Sequence, residues 1–486
     1  MKIRLLAIAA LVIRIVFLVF YRIDSDEPQH LHIVWGWSRG LVQYRDVFDN
    51  HFPLLHLLFA PLMRLMPESS STFLWMRLAI APVAVACAWL VYVIGKPRIG
   101  ARNAAFAAIL FSVMPPWLAK SVEFRNDTLW IFFWLAFVAA SGGGQAPAPV
   151  RTGGAPILHW IAGICASLSL LSSAKAAPLL IAHALAYLSE RHSIEWKPAL
   201  RLAFGAAIPA IAASAFLYAR GALDDMIYAT MLYNASLPVV AARRVGGALA
   251  FVVIAPALAL RAPRGGHLTF VAIWYTILLL CFWPLITPRD FLPLVPLAAL
   301  AIAPIAPVLL FIAATLASVW YARLWRPADT TPNQFVDAVA TITTRDDFVF
   351  DLKGESVFRR RPVHVIYETV GRALTGNGTL ADRGPEEIVA HRCCVAVPDA
   401  THIPARTRAF LNAHFLDAGA LRVCGSIVRD GAFTIAVPQT YDVVARDRSR
   451  VVIDGVPYRG PRFLAAGTHT LVSPEENVRV MWSSVR

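Results

Sequence analysis

The sequence predicts an α-helical polytopic membrane protein of about eleven transmembrane helices, carrying a soluble extracytoplasmic α/β domain at its C-terminal end. Three observations lead there. Hydrophobic residues make up 57% of the 486 and charged residues only 16%, a balance too apolar for an ordinary soluble protein. Long apolar runs recur from Leu5 to Leu324 and then cease. Beyond Trp325 the chain changes to short alternating stretches punctuated by Gly, Pro and Asp.

The first run, LLAIAALVIRIVFLVF, has the length of a signal peptide. No small-x-small cleavage pattern precedes Asp24, so it reads as a retained anchor, and Arg14 within it is expected to find a partner inside the bundle. Further runs lie near 73–94, 103–119, 128–141, 157–173, 176–189, 202–219, 247–260, 268–286, 291–304 and 305–324. Several fall short of the ~20 residues that a perpendicular crossing needs. The stretch from Pro53 to Met66 is shorter still and holds His56 and Arg64, so it reads as an interfacial or re-entrant helix.

The positive-inside rule supports that choice. With 53–66 not crossing and Lys2 and Arg4 cytoplasmic, the basic loops GKPRIGAR (95–102), GGGQAPAPVRTGG (142–154), ERHSIEWKPALR (190–201) and RAPRGGH (261–267) share the cytoplasmic side. The opposite side receives Asp24 to His51, Glu123 to Asp127, Lys175, Asp224 to Arg244, Arg289 and the C-terminal region. A crossing at 53–66 would turn every basic loop outward. The expected division is a membrane domain over 1–326, with its first outer loop at 23–72, and an outer domain over 327–486 that is large enough for its own core.

In that outer domain DDFVFDL, CCVAVPD, LRVCGSIVR and YDVVARD are strand candidates, and VVIDGVPYRGPRFLAAGTHTLVS reads as a small antiparallel β unit with Gly and Pro at its turns. Cys393, Cys394 and Cys424 lie here, where a disulfide to Cys424 suits an oxidising compartment. Cys87, Cys165 and Cys281 fall in or beside spans as packing residues. The net charge of +14 is spread over membrane flanks and the outer domain rather than gathered in one patch, which favours lipid or lipid-phosphate contact and excludes a nucleic-acid groove.

The polar residues that remain fall into clusters on the outer side. Asp24, Asp26 and Glu27 precede His30 and His32; Asp49, Asn50 and His51 precede Pro53; Glu123, Arg125 and Asp127 sit between two spans; Lys175 and the pair Arg289 and Asp290 stand at the mouths of others. Charge at membrane depth costs roughly 2.5–3.5 kcal/mol on insertion scales, so groups kept there are functional candidates. Each has a plainer alternative. Asp24 and Asp26 can be solvated or cap a helix, Asp127 can cap the span beginning at Thr128, and Lys175 and Arg289 can be interface anchors. His30 and His32, two residues apart, point to different sides of a helix.

The order of these motifs resembles a known group. An acidic pair after the first span (Asp26, Glu27), a G-x-x-x-Y-x-D stretch (Gly40, Tyr44, Asp46), a polar-Pro-Leu turn (His51, Pro53, Leu54) and R-x-D before an aromatic-rich span (Arg125, Asp127) are similar to membrane glycosyltransferases of the C fold class. The nearest superfamily holds protein O-mannosyltransferases, the aminoarabinose transferases of lipid A and the rhizobial galacturonosyltransferases. PRDFLPLVPL resembles that group's basic-aromatic-Leu-Pro start of a late span, and the likeness covers residues 1 to 325.

The resemblance implies transfer of a sugar from a polyprenyl-phosphate donor to a lipid, glycan or protein hydroxyl on the outer side of a bacterial inner membrane, with inversion. Asp26 would be the general base or its organiser, and Glu27 and Asp127 match further acids. His51, Tyr44, Arg125, Lys175 and Arg289 would bind substrate. One departure stands out: aminoarabinose transferases carry a Glu-Lys-Pro-Pro-like turn where this chain has Asn50-His51-Phe52-Pro53. That leaves a metal-ligating Glu without a counterpart at position 50 and makes His51 a candidate phosphate contact.

The chemistry suits these residue types on its own terms. Displacing a lipid phosphate needs a base near the attacking hydroxyl and cations to hold the departing charge, and no strong acid. Lys175, Arg289 or His51 can supply the clamp, and a divalent metal ion on Asp26 with another carboxylate can do the same work. The competing class is a polytopic lipid-linked-sugar flippase or transporter. Against it, the spans show no two-half symmetry and the acids gather at one outer face.

Overall fold

A computed structural model describes residues 2–142, 155–191, 195–236, 266–283, 286–398 and 401–484. Apart from Lys2, Arg4 and Arg14, helix α1 (Lys2–Phe20) is built of apolar residues. Leu5, Ile8, Leu11, Val12, Ile15 and Val19 are each at least half exposed, a continuous apolar surface that suits lipid rather than water. The other face buries Ala10, Phe17 and Leu18 against Val113, Leu118 and Phe311. Arg14 is partnered as expected, donating to the carbonyl of Ser112 at 3.1 Å and to Ser121 Oγ at 3.0 Å.

Helix α2 (Asp26–Ser38) buries every residue except Ser38. Helix α3 (Leu54–Met63) has ten residues, about 15 Å of helix, too short to cross a hydrocarbon core of about 30 Å. Of the stretch 53–66, Leu54–Met63 is thus a short helix.

Two expected spans and the loop between them become one helical run, α4 (Ser71–Val113), broken where Gly100 takes φ 77° and ψ 158°. The sequence reading made 95–102 an irregular loop. A single glycine in the left-handed region turns the chain here, with helix on both sides of it. The second of those spans also stops at Val113 rather than 119, and α5 (Trp117–Val122) follows as a separate turn-and-a-half.

Next come α6 (Asn126–Ala140), α7 (Ala155–Ser172), α8 (Ala176–Arg191) and α9 (Trp196–Ala219). Helices α7 and α9 touch at two glycines: a Cβ on Gly163 would lie 2.0 Å from the Leu202 carbonyl oxygen, and one on Gly205 2.3 Å from that of Trp160. Such close backbone approach is how small residues pack helices in a bilayer. Helix α10 (Leu223–Ile227) continues through a π-helical turn (Tyr228–Leu232) to Ala235. Then follow α11 (His267–Phe282), a 3-10 turn (Pro288–Phe291), α12 (Leu294–Ile302) and α13 (Pro307–Ala322).

Among the described residues three helices, α1, α4 and α9, are long and apolar enough to cross a membrane, and α3, α6, α7, α8, α11 and α13 are shorter apolar helices. The expected span at 247–260 and most of the loops at 142–154 and 261–267 lie outside the described residues. Trp117, Trp130, Trp134 and Tyr275 fill the core of the bundle.

Past Trp325 the expected α/β architecture appears. A seven-stranded sheet runs β1 (Val349–Phe350), β2 (Val395–Ala396), β4 (Arg422–Ile427), β11 (Arg479–Trp482), β6 (Gln439–Val444) and β9 (Arg462–Leu464), with β3 (Phe415–Asp417) also paired to β4. Only β1 and β2 are parallel. A four-stranded antiparallel sheet orders β5 (Ala432–Ile435), β10 (Gly467–Val472), β7 (Val452–Ile453) and β8 (Val456–Pro457). A disulfide joins Cys394 to Cys424 across β2 and β4, and Cys393 stays a buried free thiol.

This region is seated on the helices. Gly354, at φ 108°, lies so close to α2 that an added Cβ would meet the His32 ring at 2.7 Å, and His32 Nδ1 bonds the Val357 carbonyl at 3.0 Å. Arg359 reaches Glu68 at 2.9 Å, and Ser70 bonds Asp337 at 2.7 Å.

Candidate active site

The site grows from the start of α2. Acidic residues suit a helix N-terminus, where unpaired N–H groups and the helix dipole favour negative charge, but Asp26 and Glu27 do different things. Glu27 turns inward. Its carboxylate is gripped by Arg77, with Nε at 2.7 Å from Oε2 and Nη2 on Oε1, and it accepts from the backbone N–H of Phe124 at 3.0 Å. The same guanidinium donates to the carbonyls of Tyr21 and Arg22, so Glu27 and Arg77 splice three chain segments together. Asp24 is held by Lys120 at 2.9 Å and Arg125 at 2.5 Å.

Asp26 turns toward a cavity of about 560 Å³. Arg125 Nη2 and Arg289 Nη1 donate to its Oδ2 at 2.5 and 2.7 Å, and Lys353 Nζ donates to its Oδ1 at 2.7 Å. Burial alone would raise the Asp26 carboxyl, but Arg125 and Lys353 outweigh it and hold the group well below the usual carboxylate range. Lys353 Nζ also donates to Glu368 at 2.6 Å, and Glu368 lines the same cavity, so cations and carboxylates interleave there.

Lys175 is matched in the same way. It also lines the cavity, 3.0 Å from Asp290 and 3.9 Å from Asp127. Asp290 is fixed by its own turn, its Oδ2 accepting from Thr287 N at 2.6 Å and Thr287 Oγ1 at 2.7 Å. The lining also includes Phe52, Tyr233, Phe282, Trp283, Ile366 and Val370. Arg125, Lys175 and Arg289 thus share it with the acids Asp26, Asp290 and Glu368 and with apolar and aromatic groups, in a volume within the range of ligand pockets.

His51 stands on the rim of the same cavity, its side chain one-quarter exposed. Its Nδ1 is 2.8 Å from Asp49 Oδ1, and Asp49 is fully buried between the amides of Gln29 and Gln43, each at 2.9 Å. Burial pulls the His51 imidazole down, but Asp49, by charge and hydrogen bond, and Asp26 lift it above its ordinary value.

Of the residues singled out from sequence, Asp26, Asn50, His51, Arg125, Lys175, Arg289 and Asp290 line one cavity, although they come from five separated stretches. Asp127 sits behind them, 3.3 Å from Arg125 Nε and accepting from Trp130 Nε1 at 3.3 Å. Glu27 and Tyr44 lie off the cavity wall. Tyr44 is 1% exposed at φ 75°, and its hydroxyl donates to the His51 carbonyl at 2.8 Å, so it braces the backbone that carries His51. Among the described residues no three His, Cys, Asp or Glu side chains gather as a metal site. The oxygens of Asp26 face cations, a donor set that does not suit a divalent metal ion.

Lys353 does site work that the sequence reading missed, and Asp49, named there only as part of a cluster, holds His51. Lys353 rides on a turn pinned by Asp351, which accepts from the N–H groups of Gly354 and Ser356 at 2.8 Å and from Arg361 Nε at 2.8 Å. A signal was there: Lys353 is the only lysine beyond Lys197, in a region that otherwise uses arginine for every permanent positive charge.

No protein-family profile matches the chain, and no curated protein does. Among solved structures the fold matches the crystal structure of ArnT from Cupriavidus metallidurans bound to undecaprenyl phosphate, with TM-score 0.59 and 14% identity over 87% of this chain and 97% of that one. The apo structure of the same protein matches with TM-score 0.59 and 13% identity over the same shares. At that identity the likeness establishes a common fold running through both the helical and the α/β regions.

Proposed function

We propose that this chain is an integral-membrane glycosyltransferase that moves a sugar from a polyprenyl-phosphate donor to an acceptor hydroxyl, with inversion, on the extracytoplasmic side of a bacterial inner membrane. The observation that carries this reading is the cavity itself, whose lining holds Arg125, Lys175 and Arg289 together with Phe52, Tyr233, Phe282, Trp283, Ile366 and Val370. A lipid phosphate can use both kinds of partner. The fold shared with ArnT, which was crystallised with undecaprenyl phosphate, supports the same donor class.

In this reading Arg289 and Lys175 bind the phosphate, the guanidinium as a two-pronged donor and the ammonium as a point charge. Arg125 is braced by Asp24, Asp26 and Asp127, so its position is fixed before substrate arrives. Preorganised cations act where negative charge grows as the sugar–phosphate bond breaks. Asp26 keeps them from repelling one another. Inverting displacement takes one chemical step and needs no nucleophile from the enzyme. The acceptor is a lipid, glycan or protein hydroxyl. No metal ion is assigned a part.

Binding tests it directly. Purified protein in nanodiscs should bind undecaprenyl phosphate, and Arg289→Ala and Lys175→Ala should each weaken binding about tenfold or more, the loss expected for one charge-assisted hydrogen bond of about 1.5–3 kcal/mol. Equal affinity for undecaprenol, which lacks the phosphate, would remove the anion-binding role from this cavity.

A further inference from the structure

We infer that His51, oriented by Asp49, takes the proton from the attacking hydroxyl, and that Asp26 anchors cations instead of acting as the base; this rests on the glycosyl-transfer reading above. A base needs an available lone pair and room beside the acceptor. Asp26 offers little of either: Lys353 occupies Oδ1, and Arg125 and Arg289 occupy Oδ2. A proton placed there would have to join three positive charges.

His51 is arranged the other way. Asp49 takes the hydrogen bond from Nδ1, so neutral His51 carries its lone pair on Nε2. Among the described residues Nε2 has no hydrogen-bond partner, and the side chain lines the cavity. Asp49 is itself locked by Gln29 and Gln43, while Gln43 and Tyr44 both donate to the His51 carbonyl, at 3.2 and 2.8 Å. That is a base, an orienting carboxylate and a fixed backbone.

The charged and titratable groups around the ring are consistent with this. Asp49 and Asp26 favour the imidazolium, and Arg125 opposes it. His30, 4.7 Å away between ring centroids, and His56 are both pushed down by burial, His56 to about 4, so neither competes for the proton. In the step itself the acceptor oxygen bonds the anomeric carbon, its proton passes to Nε2, and the bond from that carbon to the phosphate oxygen breaks. The electron pair leaves on polyprenyl phosphate, held by the cations.

The alternative for His51 is an imidazolium clamp on the phosphate, and the two roles have opposite pH signs. A base works when neutral, so turnover rises as pH climbs through the His51 pKa. A clamp works when charged, so turnover and phosphate affinity fall over the same range.

The experiment follows release of polyprenyl phosphate from the polyprenyl-phosphoryl-sugar fraction of the source membranes, with the membrane glycolipid fraction as acceptor. It runs from pH 5 to 9 beside undecaprenyl phosphate binding. Wild type should show turnover rising with pH and flat binding. His51→Gln should lose about 10²–10⁴-fold in turnover with binding kept. Asp49→Asn should move the acid limb to lower pH and lower the plateau, which a purely structural role for Asp49 would not do. Full turnover in His51→Lys, or activity falling as pH rises together with binding, overturns the base role. No release at any pH by a wild type that still binds undecaprenyl phosphate overturns the glycosyl-transfer reading, and the base role with it.

Discussion

Charge is handled in two ways in this molecule. Beside the cavity Glu27 pairs with Arg77, and Asp24, Lys120, Glu123 and Arg125 form a second, linked set of ion pairs; Glu27, Glu123 and Arg125 are almost wholly buried. On the α/β region, Arg406 pairs with Glu386 and Arg448 with Asp442 in the open, with about half of each arginine exposed. The inner set makes many bonds per group and reaches across distant segments; the outer pairs join near neighbours. Buried charges must be matched because an orphan is expensive, whereas exposed ones are already satisfied by water.

The largest expected effect follows from breaking an inner pair. Glu27→Gln leaves Arg77 as a buried, uncompensated cation and should lower stability by about 3–5 kcal/mol. Denaturant titration in detergent measures it. Replacing both partners, as Glu27→Leu with Arg77→Met, should recover much of the loss; a double variant no better than the single one would mean that the pair contributes through packing rather than charge matching.

Next is Asp26→Asn, which touches the cavity instead of the scaffold. With its charge gone, three cations face one another, and turnover should drop by about 10²–10³-fold, the scale seen when one preorganised electrostatic group is lost. Near-normal turnover by a monodisperse variant would take Asp26 out of the mechanism. The smallest effect belongs to Arg406→Ala: an unchanged melting temperature is expected, and a clear drop would erase the distinction between the two populations.

Much of the arrangement was legible in the sequence because bilayer residence narrows the choices. Apolar runs gave most of the helices, and the sparse acids and bases outside them gave six of the cavity-lining residues, Asp26, His51, Arg125, Lys175, Arg289 and Asp290. What escaped depended on direction. Asp26 and Glu27 are adjacent and look equivalent in a motif, yet one faces the cavity and the other faces Arg77, a difference that only packing of α2 against α4 decides. Tyr44 sits in the matched motif but serves the backbone. The helical join at Gly100 was hidden by the lysine and arginines around it, which read as a loop although they propagate helix well.

The bond from Lys353 to Asp26 spans 327 positions of sequence. Translation makes the carboxylate early and its lysine late, so a ribosome that stalls before codon 353 leaves a chain whose helices can already be in the bilayer while the pocket lacks one of its three counterions. Such a fragment would leave Asp26 Oδ1 without its lysine while Oδ2 is still taken by Arg125 and Arg289, so the pocket reaches its final charge balance only once the α/β region has been made and seated.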